Sequence, residues 1–169
     1  NYGVFDEKRY FQAGNKSLIF THKGKKFGLL ICEDIWVKGP AEKLPKVDYI
    51  ICVNASPYEI NKNEARIKKL KKRAPLRDCT LIYLNLVGGQ DDLLFDGGSF
   101  IYNIKNGLID ELEQFKCKNK VIDLKKLDNI DNRIDNKKFV TPIKTLLNGL
   151  ILALKDYLSK NSIKNIFIG

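Results

Sequence analysis

The sequence predicts a layered α/β or α+β domain, and two observations carry that prediction: apolar strand-like runs alternate with helical segments, and the strands end in loops rich in polar side chains and glycine. With 169 residues and 44% hydrophobic content, the chain fits one domain of roughly 100–200 residues and can build a core. No apolar run approaches the ~20 residues of a membrane span, and no charged-apolar-small segment opens the chain, so a soluble, cytoplasmic protein is expected.

The elements follow in order. Leu18 to Phe20 and Phe27 to Ile31 bracket Lys23-Gly24-Lys25, which reads as a β-hairpin whose second strand delivers Cys32. Val47 to Val53 is a second buried strand, expected beside the first, and it ends in Asn54-Ala55-Ser56-Pro57. A basic helix is expected between about Asn61 and Asp78, with Pro75 ending or kinking it. Thr80 to Leu86 makes a third strand. The stretch from Val87 to Ser99 holds Gly-Gly-Gln-Asp and Asp-Gly-Gly, and reads as a loop in which glycine permits positive φ and close backbone approach. Ser99 to Ile104 and Leu108 to Phe115 flank Asn106-Gly107 as a hairpin, with Lys120 to Leu124 as a further strand. Residues 125–138 are polar and read as a linker. Thr141-Pro142 is a good helix start, with Thr as N-cap and Pro at the first helical position. Behind it Ile143, Leu146, Leu147, Leu150, Ile151, Leu154 and Leu158 recur at three- and four-residue spacing, giving an amphipathic helix that needs a partner surface. Ser162 to Gly169 reads as a strand.

Cys32 carries the chemistry. It closes the run Phe27-Gly28-Leu29-Leu30-Ile31 and precedes Glu33-Asp34-Ile35-Trp36, so a thiol is expected at a strand's C-terminal end, beside backbone N–H groups that a turn leaves free. Such a thiol can attack a carbonyl and have its oxyanion bound nearby; a plain core cysteine is the alternative. The other cysteines, Cys52, Cys79 and Cys117, form no CxxC motif and are read as core or strand residues. His22 is the only histidine, so neither a zinc site nor a Cys-His dyad is expected.

The net charge of +10 draws on a cluster comprising Lys62, Arg66, Lys68, Lys69, Lys71, Lys72, Arg73 and Arg77. Ile67 and Leu70 lie among them three apart, which suggests a surface helix with one core stripe and a solvated basic face. No aromatic residue interleaves with these charges, as a single-strand stacking platform would need, so nucleic acid is not the expected partner. The chain opens at Asn1-Tyr2-Gly3 and contains no methionine, so a piece of a longer protein is expected.

Taken together the segments resemble the nitrilase superfamily, and more narrowly the glutaminase domains of glutamine-dependent NAD+ synthetases. Asn1 to Phe11 is similar to the loop after that family's catalytic lysine, Gly28 to Trp36 to its nucleophile elbow, and Asn54-Ala55-Ser56-Pro57 and Tyr83 to Asp91 continue in the right order. Gly88-Gly89-Gln90-Asp91 with Phe95-Asp96-Gly97 points to the synthetases, and Asp156 to Asn161 resembles the helix leading into the synthetase domain. Within that helix, Leu147 stands where the family commonly has a tyrosine, and Asn148-Gly149 is a softer helical segment than usual.

The resemblance implies the distal part of a nitrilase-type α-β-β-α sandwich over residues 1–124, a linker over 125–141, and the first helix and strand of an ATP-pyrophosphatase-like α/β synthetase domain over 142–169. It implies that Cys32 hydrolyses glutamine through a thioester, with a glutamate base and a lysine lying upstream of Asn1, so that the 169 residues alone are expected to be inactive. By the same resemblance Glu7 orients the lysine, Tyr2 and Phe5 wall the glutamine pocket, and Glu33 lends its backbone N–H to the oxyanion. Ser56 and Lys62 hold the α-amino and α-carboxylate ends of glutamine, although Lys62 also reads as the first charge of the basic helix. Gln90, Asp91 and Asp96 belong to the loop facing the synthetase domain, along the ammonia route, or else are plain loop architecture. No cofactor or metal is expected within the chain. ATP and Mg2+ with nicotinic acid adenine dinucleotide belong to the synthetase domain, and a homo-oligomer without membrane contact is implied.

Overall fold

The computed structural model describes residues 5–73, 78–130 and 142–167. Its centre is a six-stranded mixed sheet of order β1-β2-β3-β4-β7-β8, where β1 is Leu18–His22, β2 Lys25–Ile31, β3 Tyr49–Asn54, β4 Thr80–Asn85, β7 Phe100–Asn103 and β8 Gly107–Glu111. Strands β2, β3 and β4 run parallel and the outer pairs antiparallel. Lys23 and Gly24 both take positive φ (48° and 78°), the two-residue turn whose twist matches a hairpin. The parallel strands connect through crossovers, the second containing helix α1 (Lys62–Leu70). The expected hairpins at Lys23-Gly24 and Asn106-Gly107 and the three central strands are all present.

One sheet face buries Leu30, Ile50, Cys52, Leu81, Tyr83, Phe100 and Tyr102 together with Ile35, Ala41 and Leu70 from the connections. The opposite face buries Phe27, Tyr49, Ile101 and Ile109 under Leu127 of α2 (Leu124–Asp128). This face is only partly covered: Ile31, Val53 and Leu84 lie in register across three strands and are 63%, 46% and 43% exposed.

The structure departs from the sequence expectations at five places. Residues 87–96 form a hairpin, β5 (Val87–Gln90) with β6 (Leu93–Asp96), because Asp91 turns at φ 50° and helix α3 (Pro142–Lys160) packs across β5. The 120–124 stretch is not a strand. There the Asp123 side chain accepts from the Lys125 and Lys126 N–H groups and starts α2 instead. The opening of the segment read as linker is therefore helical and packed, with Tyr49 Oη donating to Asp128 and Asn106 Nδ2 to the Ile130 carbonyl. Helix α1 ends at Leu70, its buried stripe being Asn63, Arg66 and Leu70. No strand forms over 162–167. Pro75, Thr141 and Gly169 lie outside the described residues. No helix among the described residues is long and apolar enough to cross a membrane.

Candidate active site

Cys32 stands where β2 ends, with φ 45°, a conformation that side-chain-bearing residues seldom adopt and that turns the chain sharply out of the sheet. A 3-10 turn, Cys32–Ile35, follows. Asp34 Oδ2 accepts from the Ile31 N–H at 3.0 Å, and the Glu33 carbonyl accepts from the Trp36 and Val37 N–H groups at 2.8 and 3.0 Å. Ile35 is fully buried beneath the turn. Trp36 leans on Tyr83 at 5.9 Å between ring centroids, and Tyr83 stacks on Phe100 at 4.6 Å. The elbow thus rests on the core.

Burial pushes the Cys32 thiol above its ordinary value. A hydrogen bond from the Ala55 backbone N–H opposes this, while the carboxylates of Glu33 and Glu7 add to it. Beneath the elbow, Cys52 points its thiol toward the Cys32 carbonyl at 3.8 Å and Asn54 Oδ1 at 3.3 Å. Burial drives Cys52 up to about 12, which makes it an inert thiol beside a half-exposed one.

Ala55 is held from both sides. Asn54 Nδ2 donates to the Cys52 and Leu84 carbonyls at 2.8 and 2.7 Å, and the Asn54 carbonyl accepts from the Leu86 N–H. Ser56 has its N–H on Asn85 Oδ1 at 3.0 Å, while Arg66 Nη2 reaches its Oγ at 3.0 Å and its carbonyl at 3.3 Å. Arg66 also lies on both oxygens of Asp96 at 3.1–3.3 Å, and Asp96 accepts further from Asn85 Nδ2 (3.1 Å) and Gln114 Nε2 (2.8 Å). The side chains of this ion pair are 4% and 0% exposed, so the charges are kept by mutual contact and hydrogen bonding rather than by water.

Of the residues singled out from sequence, Glu7 lies close enough to raise the Cys32 thiol, and Glu33 follows it directly. Phe5 is half-buried near the chain's start, and Tyr2 lies outside the described residues. Ser56 is buried, its own polar groups being taken up by Arg66 and Asn85. Lys62 opens α1 and pairs with Glu59 at 2.6 Å. Gln90 and Asp91 sit on the exposed tip of the β5–β6 hairpin, where Gln90 Oε1 accepts from Lys160 at 2.8 Å. Asp96 belongs to the buried network. The basic cluster is less solvated than expected, because Arg66 is buried and Arg73 is largely so, paired with Glu42 at 2.7 Å. Sequence reasoning missed Arg66, Asn85, Gln114 and Ala55. Arg66 had a signal, lying at i+3 from Asn63 and i−4 from Leu70 on one helical face. Among the described residues no group of three or more His, Cys, Asp or Glu could hold a metal ion.

No family model matches the chain. It is 37% identical, over 171 residues, to the glutamine-dependent NAD(+) synthetase of Acinetobacter baylyi, a match covering 100% of this chain and 32% of that protein. The solved glutamine-dependent NAD+ synthetase of Acinetobacter baumannii, in complex with ADP, is similar at 35% identity and a TM-score of 0.79, over 95% of this chain and 31% of that one. An amidase from Nesterenkonia sp. shares the fold, with a TM-score of 0.55 and 23% identity over 64% of this chain and 41% of its own. The chain spans about a third of the length of the curated relatives it matches.

Proposed function

We propose, for a chain similar over its whole length to glutamine-dependent NAD(+) synthetases, that it is part of the glutaminase of such an enzyme, with Cys32 as nucleophile. The observation that carries the reading is the elbow itself: a half-exposed thiol at the end of a parallel strand, at positive φ, followed by a 3-10 turn.

In the proposed reaction Cys32 gives its proton to a base and its sulfur attacks the side-chain amide carbon of glutamine. The Glu33 N–H stabilises the oxyanion. The C–N bond breaks, ammonia departs with the returned proton, and water then cleaves the thioester to release glutamate and regenerate the thiol. The base and a lysine are assigned by this proposal to the part of the relatives' length that the chain does not span. Glu7 would orient the lysine, Phe5 and Tyr2 would line the pocket, and Lys62 would meet the glutamine carboxylate on leaving Glu59. Ammonia then amidates adenylated nicotinic acid adenine dinucleotide in a synthetase domain that uses ATP and Mg2+. Residues 125–141 would link the two halves, and α3 would open the ATP-pyrophosphatase-like domain, with Gln90 and Asp91 facing it.

The test is NAD+ formation by the full-length protein from nicotinic acid adenine dinucleotide, ATP and Mg2+, with glutamine or ammonia as nitrogen source. Cys32→Ala is expected to lose the glutamine-driven rate and keep the ammonia-driven one. No NAD+ from either source in the wild type would overturn the synthetase assignment.

A further inference from the structure

We propose that Asp156 and Lys160 of α3 are positioning residues for glutamine binding: by gripping β5 they fix the loop after Ser56, and with it the Glu59–Lys62 pair. The inference rests on the reading of Lys62 as the group that meets the glutamine carboxylate. Three features carry it.

First, the grip takes both polar groups of one strand residue. Asp156 Oδ2 accepts from the Gly89 N–H at 2.8 Å, and Lys160 Nζ donates to the Gly89 carbonyl at 2.6 Å and to Gln90 Oε1 at 2.8 Å. The helix comes this close because β5 lacks side chains there: a Cβ on Gly89 would stand 3.1 Å from Ala153 Cα, and one on Gly88 3.0 Å from Asp156 Oδ2. Held at N–H and carbonyl together, Gly89 cannot slide along the helix.

Second, Gly89 stands opposite Leu94 across the hairpin, and the Leu94 carbonyl accepts from the Tyr58 N–H at 2.6 Å. Beside it Pro57 forms an isolated bridge with Phe95. A separate contact reaches the same residue, because the Phe115 ring against which Gly149 packs meets the Tyr58 ring edge-on, 5.1 Å between centroids. The main chain and the side chain of Tyr58 are thus both set by groups that touch α3.

Third, the residue after Tyr58 holds Lys62. The Glu59 carboxylate pairs with Lys62 Nζ at 2.6 Å, and the Glu59 carbonyl accepts from the Lys62 N–H at 3.1 Å. Releasing the grip on Gly89 lets the hairpin and this loop shift together, which weakens glutamine binding and leaves the chemical step at Cys32 untouched.

The experiment uses the full-length protein carrying Asp156→Ala and Lys160→Met, both good helix formers. Hydrogen exchange is resolved to single amides, and steady-state kinetics are measured with glutamine and with ammonia. Exchange at the Gly89 and Tyr58 amides is expected to speed up together. The KM for glutamine should rise about fivefold with kcat held, on the scale of one lost hydrogen bond. The ammonia-driven rate should stay at its wild-type value. Unchanged protection at either amide, or an unmoved KM, overturns the proposal. Should the ammonia-driven rate fall as well, both measurements are repeated in Lys160→Met alone, which leaves Asp156 on Gly89. Faster Tyr58 exchange and a smaller rise in KM there support the proposal, and wild-type values overturn it. Because exchange needs no turnover, failure of the glutaminase reading would appear separately, as a wild-type enzyme without glutamine-driven activity.

Discussion

The thiols of this chain divide by what surrounds them. Cys32 sits half-exposed at a strand end, whereas Cys52 and Cys79 are buried and burial pushes each from an ordinary 9.0 up to about 12. The folded state thus holds these two protons more tightly than the unfolded chain does. Their contribution to stability is fully present below pH 9 and is lost as pH rises through the folded values. Each thiol should add a slope of about −1.4 kcal/mol per pH unit between roughly pH 9 and 12. Urea unfolding of the full-length protein from pH 8 to 11 tests this, and Cys52→Ala with Cys79→Ala should flatten the decline; an unchanged slope would show that other groups govern it. At this scale the sequence made Cys32 legible, because an apolar run closing on Cys-Glu-Asp needs only local information. It hid Arg66, because a guanidinium in a lysine-rich run looks like its neighbours until an aspartate thirty residues later supplies the reason to bury it.

Among the elements, the β5–β6 hairpin and α3 form a unit that local patterning could not reveal. Asp156 Oδ2 accepts from the Gly89 N–H at 2.8 Å and Lys160 donates to the Gly89 carbonyl at 2.6 Å, so one helix turn grips both polar groups of a single strand residue. The hairpin in turn touches the loop after Ser56, the Tyr58 N–H donating to the Leu94 carbonyl at 2.6 Å. Gly149 looks from sequence like a weak point in the helix. In the structure it is the contact itself, since a Cβ there would stand 2.9 Å from Leu94 and 3.0 Å from the Phe115 ring. Gly149→Leu should therefore push α3 off β5 although leucine is the better helix former, at a cost of ~1–3 kcal/mol from overpacking. Hydrogen exchange at the Gly89 amide reads the outcome directly: protection should fall in the variant, and unchanged protection would mean that α3 docks by other contacts. The helix was legible in the sequence, but the face that docks was not: Ile143, Leu147, Leu150, Ile151 and Leu154 of the predicted apolar stripe are exposed, while Gly149, Ala153 and Asp156 meet the hairpin.

For the whole molecule, the unevenly covered sheet is the informative feature. One face is closed by Ile35, Ala41 and Leu70, while the other is closed by α2 at one end and leaves Ile31, Val53 and Leu84 open in register at the other. Such a row of β-branched and leucine side chains across three strands is what one layer of a sandwich presents to the next. The sequence shows these residues as ordinary strand positions, and only the three-strand register reveals that they stack into a patch beside the elbow carrying Cys32. The chain spans about a third of its curated relatives, so the proposed full-length protein has ample polypeptide to cover the patch. Val53→Asp should then destabilise the full-length protein by more than ~2 kcal/mol, as a charge placed in a closed interface does, rather than by the ~0.5 kcal/mol or less typical of a surface change. Chemical denaturation of the full-length variant distinguishes the two. A loss near zero would mean that this face meets water in the complete protein.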